Sequence, residues 1–358
     1  MSLPWAITAS SSTASEKTHE EEHMRKKSFI PFMILTLVLI PITAFSDEGS
    51  SPPGGATGHV RDIWGSSATD VFAACGADIL HYDGTAWSHM NCGVPHSLYG
   101  IWGSSGTDVF AVGWEGIIFH YDGQIWSPME NTSYQFLKFI TDWNEALFDV
   151  WGSSETDVFA VGVIGFNFSF GIILHYDGKR WLRMISGFPP VVHGVWGSEK
   201  DNVFAISYAD DSRHYDGIRW SNMNCGTEAL LNGIWGSSAT DVFAVGNEGT
   251  ILHYDGTSWS SMSSGTTAWL KGVWGSSGSD VFAVGYDEVW GDGSYEIILH
   301  YDGVKWSIMK RNSLPNIEFW TVWGSSGTDV FAGGVDETNS HGVIYHYDGI
   351  SWSPMELS

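Results

Sequence analysis

Basic residues are scarce in this chain of 358 residues, where Lys and Arg number 16 against 41 Asp and Glu, for a formal net charge of −25. A phosphate backbone or an anionic lipid surface calls for a basic face, so nucleic acid is excluded as a partner, as is a membrane for the body of the chain. Cysteine is equally sparse. Cys75, Cys92 and Cys225 are too few for a disulfide framework. Cys75 and Cys92 each follow an apolar run at what reads as one edge of the same sheet, which allows a bridge between them and leaves Cys225 unpaired. Long apolar runs are also lacking, apart from Phe29 to Phe45, which is 17 residues long and broken by Pro31 and Pro41. That is short against the roughly 20 residues that span a bilayer core. With Met24-Arg25-Lys26-Lys27 before it and Ala44-Phe45-Ser46 after it, the run reads as a secretory signal whose natural start is Met24. Residues 1–46 are then leader, with an uncleaved anchor as the alternative. The mature chain begins at Asp47, secreted, periplasmic or at the cell surface, with no membrane association after cleavage. Residues 47–58, with Pro52, Pro53, Gly54 and Gly55, form a flexible lead-in.

What the sequence does have is repetition. The stretch Leu231 to Met262 recurs in near copy seven times. It divides into four short runs rich in β-branched and aromatic residues, Leu231 to Trp235 (strand A), Asp241 to Gly246 (B), Thr250 to Asp255 (C) and Ser258 to Met262 (D). Gly, Asn, Asp and Ser lie where the chain must reverse. Val242 to Val245 are consecutive apolar residues, so both faces of strand B should be buried. A sheet covered on both faces needs neighbours on both sides, and copies stacked radially supply them. The strand A tryptophans are Trp64, Trp102, Trp151, Trp196, Trp235, Trp274 and Trp323, spaced by 38 to 49 residues. Each copy carries a His-Tyr-Asp-Gly tetrapeptide in strand C and a second Trp in strand D. A four-stranded unit of roughly 40 residues in such an array implies an all-β, seven-bladed β-propeller over residues 59–358. No strand D copy precedes the first blade and the seventh contains its own. The ring should therefore close by blade 1 packing on blade 7, without strand exchange.

The order of landmarks, a glycine after strand B, then Tyr, then Trp, resembles the kelch repeat and more loosely the WD repeat and bacterial lectin propellers. The adjacent glycine pair of kelch blades appears only as Gly333-Gly334, while Gly113, Gly162, Gly246 and Gly285 stand alone. The resemblance implies a propeller and carries little about function, because such folds host oxidases, adaptors and lectins alike.

Residues present in every blade are first fold determinants. The Gly-Ser-Ser-x-Thr-Asp loops have neither the Lys nor the helix of a phosphate cradle, and their side chains are expected to satisfy turn backbone. Departures from the repeat are more informative. The long insertions are Glu130 to Glu145, Val163 to Gly171, Tyr286 to Glu296, Lys310 to Glu318 and Val335 to Gly342. In an up-and-down blade all of these emerge on one face of the disc. The five tryptophans outside the repeat and the leader, Trp114, Trp143, Trp269, Trp290 and Trp320, fall on that same face. Leaving such a ring in water forgoes about 3–5 kcal/mol of burial. The head of strand A, where this face meets the central channel, differs in every blade: Arg61, Tyr99, Phe148, His193, Asn232, Lys271 and Trp320. One asymmetric pocket requires such variety, although a merely unconstrained position would also show it.

Asp287, Glu288, Asp292 and Glu296 offer hard oxygen donors of the kind calcium takes, but their spacing matches no known motif and reads better as a solvated acidic loop. No cofactor is expected. These features favour a secreted, non-catalytic protein that recognises carbohydrate or protein through its aromatic face. A propeller glycosidase or lyase is the first alternative. It would need a carboxylate pair about 5–10 Å apart, and Asp142, Glu145, Asp149, Glu248 and Glu318 are candidates without a selected pair. A sialidase-like arginine cluster is lacking, since only Arg61 falls at the channel mouth. An architectural module of a surface assembly is the second alternative.

Overall fold

The computed structural model describes residues 58–131, 144–165, 170–184, 191–207, 212–289 and 293–357. They form seven four-stranded antiparallel sheets, each with its strands in chain order. The blades span residues 60–89, 98–128, 144–183, 192–222, 231–262, 269–315 and 317–355. Strand A of each blade packs beside strand A of the next, so these strands line the axis of the ring. The repeat unit read from the sequence holds closely: in blade 5 the strands are Leu231–Ser238, Asp241–Gly246, Ile251–Tyr254 and Trp259–Met262. Strand A is longer than expected because its Gly-Ser-Ser continues in the ladder through a bulge, Gly236 facing Val242 and Ser238 facing Asp241. The three-residue outer strands tolerate Pro128 because an edge strand need not donate on its open side.

The repeated residues are the contacts between blades. Each strand B phenylalanine stacks on the strand C histidine of its own blade at 4.5 to 4.7 Å between ring centroids. The same ring reaches the strand C tyrosine of the following blade at 5.6 to 6.1 Å. Phe331 of blade 7 makes that contact with Tyr82 of blade 1, so the series closes on itself. Methionines at the end of strand D extend the seam, Trp126 Nε1 donating to Met90 Sδ at 3.3 Å and Trp87 Nε1 to Met355 Sδ at 3.4 Å. No strand is exchanged between the chain ends, because blades 1 and 7 each draw all four strands from one continuous segment.

The histidines join a polar tether. In six blades the Nε2–H donates to the aspartate that opens strand B, at 2.6 to 2.7 Å, and in blade 4 His214 meets Asn202 instead. The other oxygen of that aspartate accepts from a loop serine, as in Ser104 to Asp108 at 2.6 Å. The tetrapeptide aspartate caps its own turn, Asp255 Oδ1 accepting from the amides of Thr257 and Ser258 at 2.8 and 2.9 Å. The glycine after it holds φ between 82° and 91° in all seven blades, a conformation L side chains rarely adopt.

The bridge that the sequence allows between Cys75 and Cys92 is not formed, and all three cysteines are free. The two thiols point to opposite sides of blade 1. Cys75 packs into the seam with blade 7 and donates to Gly58 O at 3.0 Å, while Cys92 packs toward blade 2. Sharing an edge was not enough: Cys75 ends strand B and Cys92 lies beyond strand D, each packed against a different neighbouring blade.

Candidate functional site

Strand A shows the same irregularity in every blade just before its tryptophan. In blade 1 Val60 pairs with Cys75 and Asp62 with Ala74, leaving Arg61 as an extra, bulged residue. The equivalent bulges fall on Tyr99, Phe148, His193, Asn232, Lys271 and Trp320. A bulge releases one side chain from the alternation of the sheet and re-aims it, here at the mouth of the channel. The seven variable heads are therefore positioned by backbone geometry and released from the sheet's alternation by the same feature.

All seven are half-buried. Around the ring, each contacts its neighbour across most seams. The Arg61 guanidinium lies 3.7 Å from the centre of the Trp320 ring and 5.7 Å from that of Tyr99. Tyr99 meets Phe148 at 5.8 Å, and Phe148 stacks on His193 at 5.8 Å with the planes 13° apart. Asn232 Nδ2 donates to Leu270 O at 2.8 Å, reaching blade 6, where the Lys271 ammonium lies 5.4 Å from the Trp269 ring and 5.6 Å from Tyr286. Burial pushes Lys271 down to about 8, against a raising effect of Glu318 and a further lowering by Arg61. Burial and then the Lys271 charge push His193 down to about 4, leaving a neutral ring at pH 7. Burial likewise raises Glu318, whose Oε2 accepts from Trp320 Nε1 at 3.2 Å.

Behind the heads lies a belt of clasps that sequence reasoning missed in part. Four blades have glycine after the head, whereas blades 1, 3 and 7 have Asp62, Asp149 and Thr321. Asp62 Oδ2 accepts from Ile101 N of blade 2 at 2.9 Å and its Oδ1 from Thr321 Oγ1 of blade 7 at 2.9 Å. Asp149 Oδ2 accepts from Val195 N of blade 4 at 2.8 Å. Both carboxyls are held well above the ordinary carboxylate range, chiefly by burial and for Asp149 by the charge of Asp62 as well. The signal was present: three substituents at a position that is otherwise glycine.

Of the remaining candidates, Trp269 opens strand A of blade 6 and is 38% exposed. Trp114 lies on the same face in the B to C turn of blade 2, its amide donating to Ser97 O at 2.9 Å. Trp143, Trp290 and Asp292 lie outside the described residues, as does Asp142. The insertions of blades 6 and 7 are ordered strands, Asp280–Val289 with Gly293–Tyr301 and Asp329–Asp336 with His341–Tyr347, rising from the variable face. This geometry separates the acidic candidates. Asp287 faces Tyr295 in the ladder and Glu296 faces Tyr286, so the two carboxylates project from opposite sides of one hairpin. Asp287 pairs with Arg311 at 2.5 Å, and Glu296 with Lys310 at 3.8 Å. Among the described residues no three His, Cys, Asp or Glu converge as a metal site. Of the catalytic candidates, Glu145 is buried and accepts from Asn131 at 2.9 Å, Glu248 is exposed, and Asp149 is a clasp between blades.

No family model matches the sequence, and no curated protein does. Solved structures match its fold. YCF48 bound to a D1 peptide superposes with a TM-score of 0.60 over 81% of this chain and 92% of that one, at 16% identity. YCF48 from Cyanidioschyzon merolae gives 0.58 over 83% and 97% at 14% identity. The WD40 propeller domain of Doa1 gives 0.60 over 81% and 93% at 11% identity. At these identities the likeness establishes the propeller.

Proposed function

We propose that the protein is an exported, non-catalytic recognition module that binds a segment of another protein across the channel mouth of its variable face. The observation that carries this reading is the set of seven bulges, which deliver seven different side chains to one point of an otherwise uniform ring. Large, half-buried aromatic and basic side chains are the kinds that anchor protein interfaces. That the structural neighbour YCF48 binds a D1 peptide is consistent with it. Carbohydrate recognition, the companion reading, needs open ring faces, but Trp320 is covered by Arg61 and Phe148 by His193, leaving Trp269 as the exposed platform of the described belt. Export rests on the charged start and short apolar run at residues 24–46. The kelch likeness adds no ligand, since the paired glycines occur once.

The test is a side-by-side screen of the purified protein on peptide and glycan arrays, repeated with Trp269→Ala and Trp320→Ala. Peptide binding that falls at least about tenfold in either variant is the expected result. Glycan binding with that sensitivity, or peptide binding indifferent to both substitutions, overturns the assignment.

A further inference from the structure

We infer that Lys271 and Arg61 form an anion seat at the channel mouth, built to receive one aspartate or glutamate side chain from a partner protein, flanked there by apolar residues. The inference rests on the recognition reading above and adds the chemistry of what is recognised.

Cations are rare in this chain, yet two of the seven heads are basic and none is acidic. Arg61 lies on the ring of Trp320, the head of blade 7, and Lys271 is the head of the adjoining blade 6, so the two basic heads flank Trp320 on one side of the ring. The way Lys271 is held differs from the treatment of the other cations on the blade 6 wall. Lys310 has Glu296 at 3.8 Å and Arg311 has Asp287 at 2.5 Å. Lys271 has no carboxylate within 4 Å and no hydrogen-bond acceptor among the described residues, only the rings of Trp269 and Tyr286. Aromatic faces stabilise an ammonium by about 0.5–2 kcal/mol, much less than desolvation takes away, which is why it titrates near 8. Glu318, the acid whose charge raises Lys271, is engaged by the Trp320 indole and by Ser294. A carboxylate entering the mouth would supply the missing counter-charge, with the Arg61 fork, already oriented on Trp320, as second donor group.

The source of that carboxylate follows from charge and shape. A net charge of −25 repels an acidic run, so a single acid among apolar residues is the acidic segment best tolerated. The exposed Trp269 ring beside the seat and the raised hairpins of blades 6 and 7 provide surface for the flanks, which a free small acid would leave unused.

The probe is a library of end-blocked decapeptides with Glu at the centre and randomised apolar flanks, with Gln-centred and Lys-centred counterparts. Affinity for the full chain is measured by fluorescence polarisation at pH 7. The expected result is a preference of at least about tenfold for Glu over Gln, lost in Lys271→Met and reduced in Arg61→Gln. Calorimetry at pH 8 in buffers of different ionisation heat should show proton uptake on binding, because the incoming carboxylate raises Lys271. That uptake should vanish in Lys271→Met, a readout that altered packing alone would not move. Circular dichroism checks that both variants fold. Equal affinity for Glu and Gln peptides, or tighter binding of Lys peptides, with sensitivity to Trp269→Ala retained, overturns the seat and leaves the recognition reading standing. Absence of any peptide binding at the mouth overturns both.

Discussion

The Trp323 indole of the last blade lies against Gly65 of the first, so close that a Cβ on Gly65 would come within 2.6 Å of the ring. Trp102 bears on Gly152 in the same way at an interior seam, also at 2.6 Å. The closing seam is thus built like the others and needs neither a shared strand nor a disulfide. Gly65→Ala and Gly152→Ala should each destabilise the protein by a similar amount, on the order of 1–3 kcal/mol as for other overpacked sites. Trp323→Ala should cost about 3–5 kcal/mol. Guanidinium unfolding of the three variants checks this, and a Gly65 effect far smaller than that of Gly152 would show a looser closure.

The histidine tethers are structural, so their loss should be felt in stability and not in recognition. His253 donates to Asp241 at 2.7 Å and stacks on Phe243 at 4.7 Å. His253→Ala removes both contacts and should lower stability by about 1–3 kcal/mol. Binding to whichever array ligand the wild type selects should stay within about twofold, as expected for a tether at the other end of strands B and C from the bulged heads. A selective loss of binding at unchanged stability would count against a purely structural histidine.

Much of this was legible in the repeat. Periodic Trp, His-Tyr-Asp-Gly and turn residues fixed blade number and strand order, because each residue type there answers a local demand that recurs seven times. Strand parity likewise pointed Trp269, Trp114 and the seven heads to one face. Three things were not legible. The bulges depend on how strand A meets strand B, and no residue type announces them; the variety of the heads was visible, its cause was not. Asp149 read as a candidate catalytic carboxylate and Asp62 was not singled out, since their amide partners belong to other blades about 40 residues away. The segment around Asp287 read as an acidic loop because its charges mask a hairpin whose alternation sends Asp287 and Glu296 to opposite sides.

Free thiols at Cys75, Cys92 and Cys225 make the fold independent of redox state. The melting temperature should be the same with and without a reductant, and three thiols should titrate with a chromogenic disulfide in guanidinium. In the folded protein, burial pushes the Cys75 thiol up to about 12 and the Cys92 thiol to about 11. Because the thiolate is the reactive form, both should react much more slowly than a free cysteine, and Cys92, which is only half-buried, should react before Cys75. Titration of a single thiol in denaturant would restore the bridge.

The Asp62 and Asp149 clasps should make the ring tighter in mild acid than at neutral pH. Each carboxyl binds its proton more firmly folded than unfolded, where it titrates near 3.8. The folded state therefore holds more protons between that value and the folded one, and stability must fall as pH rises through this window, from about pH 4 to about pH 8 for Asp149. Raising the pH through about 6 and then about 8 ionises first Asp62 and then Asp149, two buried carboxyls of which the second feels the charge of the first; acid relieves this while the backbone amides of Ile101 and Val195 keep their acceptor oxygens. Asp149→Asn retains a carbonyl for Val195 N and removes the charge, so its melting temperature should exceed that of the wild type at pH 8 and approach it at pH 5. The ordinary surface carboxylates work in the opposite direction, which is why the comparison is wild type against variant at each pH. Parallel curves for the two proteins across pH 4 to 8 would mean that Asp149 titrates as an ordinary aspartate and that the clasp is always charged.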